Sequence, residues 1–474
     1  MFLKQDQKIR KNIVIEIVSI SLISNSILLI LYSLNNIVQR NFYFNFERGS
    51  LLLVELILFL GLFVSLFSKG EIDLVINENI HDGLILTILL GLCCCTLTLN
   101  ILIISLWLIF VLGFIGIIFY YSDYFKPLNI LRYYIIGVII CIILLFLSCL
   151  IIFIQFNTLI LTEIPITNNI FIYIFLLVGI GIPFGLIPFT TYHYKNIYHE
   201  CSYTNLLLYF TLSIVSSFQV IRILNIFAFS SQINAFILLC ISSIGLIISL
   251  ISIIKELFGN FDGETYSIKK LFGYLICADF NFLIMLSSFI PILNTLGLEI
   301  DYYNMLFFYI LLNSLIKLYL FYNFYPIMLE TNDDNLHLLG DFWIKYKNFG
   351  LFYLISGFIV AIPFSFTILS SLSLILSNNS ISENSLYFTT ITILIVFFLI
   401  YIIIIITFIS ISFIFIFFGN KSEYIKREGI KGINRFYNIP NMVLLGLLIL
   451  LILFFYYGNN FYYSWFSGFL LIIY

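Results

Sequence analysis

The sequence predicts an all-α fold, a polytopic transmembrane helical bundle of about 13 to 14 helices. Three observations carry that prediction. The 474 residues have a mean hydropathy of +1.11, with 62% hydrophobic and only 10% charged residues, which excludes an ordinary soluble domain. Apolar runs recur along the chain, each long enough to cross roughly 30 Å of hydrocarbon at about 1.5 Å per residue. Threading the runs alternately across a bilayer then sorts the charges. Lys4, Lys8, Arg10, Lys11, Lys69, Lys126, Arg132, Lys195, Lys255, Lys269, Lys270, Lys345, Lys347, Lys421, Lys426, Arg427, Lys431 and Arg435 collect on one side. Only Arg40 and Arg48 fall on the other, and Arg222 and Lys317 lie within spans. Transfer of Lys and Arg across a membrane is costly, so the rich side is cytoplasm or mitochondrial matrix and the N-terminus starts there.

Within lipid every backbone polar group must be paired inside its own segment, so each run is read as a helix; strand-period alternation is absent. The first two spans, near residues 13–33 and 50–67, contain Glu16 and Glu55, expected to contact partner subunits or snorkel toward the interface. The third, near 83–98, carries Cys93, Cys94 and Cys95, which are expected to pack as small apolar groups. The fourth and fifth lie near 100–121 and 132–155. The sixth, near 169–190, contains Pro183 and Pro188, each of which interrupts a helix, so a break is expected near 183–188. The seventh, near 203–227, carries Ser213, Ser216 and Ser217, and Arg222 close enough to its outer end for snorkelling to the interface to suffice. The eighth, near 233–256, ends in Lys255 and Glu256, where local ion pairing is expected. Asp279 occupies the positive-side part of the ninth, near 271–291. Lys317 lies in the middle of the tenth, near 303–329, and burying an amine there is costly enough to need a reason, a proton relay or a structural partner. Spans near 350–375 (with Pro363, and a second break expected at 361–365), 387–418 and 440–459 follow, with a short tail at 460–474.

No linker, repeat or low-complexity segment divides the chain. It reads as one integral membrane domain over 1–474: two N-terminal helices in 13–67, a core in 83–375, and C-terminal helices in 387–474. The eight cysteines form no CxxC pair, and His193 and His199, six apart, lie on different helical faces, so no metal site is expected. No basic cluster is dense enough for nucleic acid. The N-terminus, MFLKQDQKIRKN, runs straight into a span and is neither a cleaved secretory signal nor a long transit peptide. With 53 Phe and 32 Tyr but only 8 Pro and 25 Gly, the composition favours AT-rich codons. That fits a gene in an AT-rich organellar genome, whose product needs no import signal.

Several short stretches, in order, resemble one family. Leu131-Arg132-Tyr133-Tyr134-Ile135-Ile136-Gly137 is similar to "LKYFLLGA" at a helix start, and Gly185-Leu186-Ile187-Pro188-Phe189 to "GLVPF" at the end of the next. An aromatic loop with Tyr192 and Tyr198 follows, then a helix ending in Arg222. Residues 269–278, KKLFGYLICA, resemble "KRLLAYSSIA"; Tyr309 to Phe321 resembles "YLLAYALMNLGAF"; His337 to Phe349 resembles an amphipathic linker; and Ala361-Ile362-Pro363 stands where "GIPP" would be. The family is that of the antiporter-like membrane subunits of respiratory NADH:ubiquinone oxidoreductase, with subunit 2 the most similar branch. The resemblance covers roughly 83–375. Two spans precede the segment that matches the family's fourth helix, so one N-terminal helix of the family pattern is missing and the chain again starts inside.

The resemblance implies an antiporter-like fold with broken helices and a place in the membrane arm of a proton-pumping NADH:ubiquinone oxidoreductase in the mitochondrial inner membrane. It implies other membrane-arm subunits and lipids as partners, and no cofactor on this chain: no GxGxxG opens a helix after a strand, and no cysteine cluster exists. In the family a buried glutamate and several buried lysines move protons, since desolvation brings an amine toward neutrality and a nearby carboxylate restores its affinity. Here the glutamate position falls at Ile109, the lysine positions at Pro183 and Ser213, and the lysine after "GIPP" near Ser371. The implied proton channel is therefore degenerate. The ionisable groups left as relay candidates are Lys317, Arg222, Lys255, Glu256 and Asp279. The alternatives are another antiporter-like subunit of the same complex (subunit 4), an independent cation/proton antiporter, or a membrane scaffold without transport.

Overall fold

In the computed structural model, the described residues are 7–35, 39–40, 45–46, 48–68, 78–122, 129–165, 169–184, 203–227, 232–258, 268–288 and 299–331, with scattered helical positions in 350–355 and 396–414. They are helical almost throughout. We label the helices α1 (Gln7–Asn35), α2 (Arg48–Ser68), α3 (Glu78–Leu97), α4 (Ile101–Ser122), α5 (Asn129–Phe156), α6 (Ile170–Gly181), α7 (Tyr203–Phe227), α8 (Gln232–Phe258), α9 (Ile268–Ser287) and α10 (Glu299–Thr331). Each coincides with one expected span, and eight of the helices are long and apolar enough to cross a membrane. The polytopic helical bundle is thus the observed fold. The expected span at 440–459, the short tail at 460–474 and the expected break at 361–365 lie outside the described residues. So do the Gly185–Phe189 stretch and the loop histidines His193, His199 and His337.

Two local features depart from the expectation of helices alone. Gln39–Arg40 (β1) and Asn45–Phe46 (β2) form a two-stranded antiparallel ribbon between α1 and α2. Asn100, just after α3, pairs with Ile160, just after α5. Ile101 N donates to Leu159 O (2.9 Å) and Leu161 N to Leu99 O (3.0 Å). These short extended pieces satisfy backbone groups where helices stop, which membrane depth demands. The helix ends nearby are built from sequence signals. Asn100 Oδ1 accepts from Leu102 N at 2.9 Å and Asn169 Oδ1 from Phe171 N at 3.1 Å, capping α4 and α6. Asn157, with φ of 57°, turns the chain out of α5 in the left-handed conformation that asparagine tolerates.

The chain divides into two compact units, one made of residues 1–245, 279–295 and 464–474 and the other of 246–278 and 296–463. In the first, α1 to α6 pack in sequence, each against the next apart from its other neighbours, and α7 packs against α2, α3, α4 and α6. α7 is accordingly buried over Leu206–Ile223, while the outer faces of α1 and α5 expose rows of Ile, Leu and Phe such as Ile20, Ile23, Ile27, Ile139, Ile143 and Phe153. An exposed apolar face on a long helix is ordinary where the solvent is lipid, and association there depends on close packing and hydrogen bonds. The α4–α5 contact shows both: Tyr134 Oη donates to Leu112 O at 2.6 Å, and Gly116 leaves room for that ring, since a Cβ there would meet Tyr134 Cε1 at 2.8 Å.

The sixth span was expected to break near 183–188. Regular helix ends at Gly181, and Ile182–Phe184 form a 3-10 turn. Pro183 has no N–H to continue the helix. Buried Phe184 fixes the turn, stacking at 4.9 Å on Phe280 of α9 and 5.4 Å on Tyr209 of α7.

Candidate functional site: buried polar groups of the bundle

Polar groups gather along α7, the most enclosed helix of the first unit. Its hydroxyls are turned onto its own backbone: Thr211 Oγ1 donates to Leu208 O (2.6 Å), Ser213 Oγ to Phe210 O (2.7 Å) and Ser217 Oγ to Ser213 O (2.8 Å). Lower down, two long side chains cross to α3. Gln219 Nε2 donates to Cys95 O at 2.7 Å, and Arg222 Nη1 donates to Thr96 O at 3.0 Å and Thr98 O at 3.1 Å. The Arg222 guanidinium also lies 4.5 Å from the centroid of the Phe218 ring.

This corrects the reading of Arg222 as a residue that snorkels to the interface. It is 8% exposed and reaches sideways into the bundle, onto carbonyls that α3 leaves without intrahelical partners at its C-terminal end. A cation there is favoured by the helix dipole as well as by the hydrogen bonds. Cys95, expected to pack as a small apolar group, is fully buried next to this contact, and Cys93 and Cys94 are half-buried and free.

Asp279 and Asn281, both buried, lie on the part of α9 that belongs to the same unit. Asn281 is seated against Gly245 of α8. A Cβ on Gly245 would come within 2.1 Å of Asn281 Oδ1, so only glycine admits the carboxamide there.

In the second unit, Glu256 and Lys270 are both 6% exposed, and Lys270 Nζ lies 3.9 Å from Glu256 Oε1, an ion pair between α8 and α9. Local ion pairing was expected at this end of α8, with no partner named for either Lys255 or Glu256. Lys255 is instead exposed, because adjacent residues on a helix face about 100° apart and cannot meet. Lys270 was missed as a candidate, though Glu256 and Lys270 flank one short polar connection, a signal that antiparallel neighbours meet there. Lys317 is 3% exposed near the middle of the 33-residue α10. Asn313 and Ser314, one turn earlier, are buried too, and Ser314 Oγ donates to Leu311 O at 2.7 Å.

Of the family positions that lack titrating groups, Ile109 is half-buried on α4, Pro183 stands in the 3-10 turn and Ser213 is buried on α7. Ser371 lies outside the described residues. Among the described residues no three His, Cys, Asp or Glu side chains cluster as a metal site would require.

The first helix pair was read too simply. Glu55 was expected to touch partner subunits or snorkel. Its carboxyl is instead engaged within the chain, with Asn25 Nδ2 at 2.8 Å from Oε2 and Ser26 Oγ at 2.5 Å from Oε1. Glu16 is exposed.

No family model and no curated protein matches this sequence. Solved structures do match in shape. A chain in the structure of the Mrp complex from Dietzia sp. DQ12-45-1b superposes with a TM-score of 0.68 at 11% identity, over 88% of this chain and 77% of that one. A chain of the membrane-bound sulfane sulfur reductase, an archaeal respiratory membrane complex, superposes with a TM-score of 0.70 at 13% identity, over 98% of this chain and 92% of that one. The protein therefore has the fold of membrane chains from multi-subunit membrane complexes, one of them respiratory.

Proposed function

We propose that the chain is an antiporter-like membrane-arm subunit of a respiratory NADH:ubiquinone oxidoreductase, multi-pass in the mitochondrial inner membrane with its N-terminus in the matrix. The ordered series of family-like stretches along 131–363 carries this reading, and the fold likeness to a chain of a respiratory membrane complex supports it. On this reading NADH oxidation and quinone reduction belong to partner subunits, and the chain supplies scaffold and helix packing to the membrane arm.

Its own proton channel is degenerate. The family's glutamate and lysine positions hold Ile109, Pro183, Ser213 and Ser371, and a hydroxyl cannot replace a titrating amine. The polar contacts that remain favour structure over transport: Arg222 is committed to the end of α3, and Glu256 to Lys270. An independent cation/proton antiporter would need several ionisable groups at mid-span, which argues for the subunit reading. Native-gel separation of the source membranes with mass spectrometry tests it. The polypeptide is expected in the large NADH-oxidising band, and its presence only outside that band refutes the assignment.

A further inference from the structure

Among the described helices long and apolar enough to cross a membrane, α1 is the least covered by the rest of the chain. Of its apolar stretch Asn12–Leu31, 17% is buried, against 33% for the corresponding stretch of α5, the next lowest. It is nevertheless held in place. Asn25 Nδ2 donates to Leu51 O at 3.0 Å and to Glu55 Oε2 at 2.8 Å, and Ser26 Oγ lies 2.5 Å from Glu55 Oε1, so polar contacts pin the inner side of α1 to α2. Interhelical hydrogen bonds fix the position and rotation of a helix in a way that packing against lipid does not. The outer side is therefore presented at a set angle.

That outer side is an apolar seam with one acidic member. Ile20, Ile23, Ile27 and Ile30 are between 54% and 64% exposed, more than any other large apolar residue of α1. Glu16 is exposed too, and Glu16, Ile20, Ile23, Ile27 and Ile30 follow at spacings of four, three, four and three residues, the repeat by which one helix packs its side chains into another. Asn12, exposed one turn before Glu16, extends the polar end of the row. Glu16 stands four residues inside the apolar stretch, about 6 Å along the axis. The residues one turn from it on α1 are Asn12, Ile13, Ser19 and Ile20, so helix spacing supplies no local ion pair.

α5 provides the comparison. Its exposed side chains from Ile135 to Ile154 are all Ile, Leu or Phe, which hydrocarbon accommodates. Lipid tails offer nothing to the Glu16 carboxyl, and an acidic side chain in a span is costly unless something meets it. A second copy of the chain does not suit it. Copies share one orientation in the membrane, so α1 against α1 runs parallel and sets Glu16 against Glu16. What fits both parts of the seam is an apolar helix with a basic side chain at that depth. Its N–H groups donate to the carboxyl while its apolar side chains fill the spaces between the isoleucines.

We propose that the outer face of α1 docks a transmembrane helix of a different chain, one that carries a Lys or Arg level with Glu16. The proposal deepens the subunit reading by naming the face a partner covers, and rests on it only in requiring a partner chain in the same membrane.

Photo-crosslinking in the native membrane tests it, with benzoylphenylalanine in place of Ile23. One discrete adduct with another chain is expected. Its crosslinked peptide, sequenced by mass spectrometry, is expected to be an apolar segment with a Lys or Arg about two turns from the attachment point, the separation of Ile23 from Glu16. Glu16→Lys is expected to cut the adduct by about five-fold or more, and exchange of the partner's basic residue for Glu to restore it. Should Glu16→Lys fail to accumulate, Glu16→Leu is read in its place against Glu16→Asp, which is expected to keep the adduct. Lipid adducts alone, a second copy of this chain in the adduct, a captured segment with no basic residue, or an adduct indifferent to Glu16 each overturns the proposal. The first and last are what a Glu16 that only snorkels to water predicts. The native-gel result keeps the two readings apart. A chain found in the NADH-oxidising band without an adduct refutes the α1 face alone, and an adduct on a chain found only outside that band refutes the subunit reading alone.

Discussion

At the residue scale, the bundle spends its rare charges on the ends of other helices and on one another. Arg222 shows the first use. It donates to carbonyls at the end of α3, and removing the donor leaves buried acceptors that cost about 1–3 kcal/mol each to desolvate. Arg222→Met is therefore expected to lower thermal stability of the purified protein clearly. Arg222→Lys, which keeps a cation and several donors, is expected to lose less. Equal losses would mean that the contact with Phe218, not the carbonyls, holds the residue. Lys317 poses the complementary question of transport. On the proposed function, Ile109, Pro183 and Ser213 stand where the resembled family has titrating groups, so Lys317→Met is expected to leave the number of protons moved per NADH unchanged. A lower ratio would show that a relay survives through α10.

Arg222 also marks how far the sequence could be read. Its burial was not legible, because its partners are carbonyls of residues 124 and 126 positions earlier, and no side-chain pattern announces a backbone acceptor. Glu55 escaped for a related reason: hydropathy flags a charge in a span but not the Asn25 and Ser26 that meet it. The ion pair of Glu256 was legible in kind, but not its partner. Residue type announced a pair, whereas helix geometry chose Lys270 across the turn over Lys255 beside it.

At the element scale, spans were legible because length and hydropathy alone decide whether a segment can cross lipid. Their ends were less so. α1 begins at Gln7 and α3 at Glu78, ahead of the apolar runs, since polar residues continue a helix into water without cost to hydropathy-based reasoning. What joins one element to the next is close approach at small residues, and that can be tested. Gly245→Ala is expected to destabilise the α8–α9 contact by displacing Asn281, whereas Gly113→Ala on α4, where a Cβ meets nothing within 4 Å, is expected to be neutral or slightly stabilising. Comparing the thermal unfolding of the two variants separates packing from helix propensity. A neutral Gly245→Ala would mean that Asn281 has another rotamer available at little cost.

At the scale of the whole molecule, orientation follows from charge, and it is independent of any family likeness. α1 is long and apolar enough to cross a bilayer once, so the sequence at its start and the β1–β2 pairing of 39–40 with 45–46 are expected on opposite sides. On the proposed reading, the positive-inside asymmetry predicts an N-terminus on the matrix or cytoplasmic side and the ribbon, with Arg40, on the other. Arg40 and Arg48 are the two cations that end up on the poor side, and both flank the same connection. A single short loop of this kind is carried across by the strongly apolar α1 and α2 around it. Single cysteines placed at Gln5 and at Gln39, in a background where the native thiols are blocked or replaced, read this directly. On the proposed mitochondrial location, a membrane-impermeant maleimide added to intact mitochondria stripped of their outer membrane is expected to label residue 39 and to spare residue 5 until the inner membrane is opened. Labelling in the reverse order would overturn the predicted orientation of α1 and of every span that follows it.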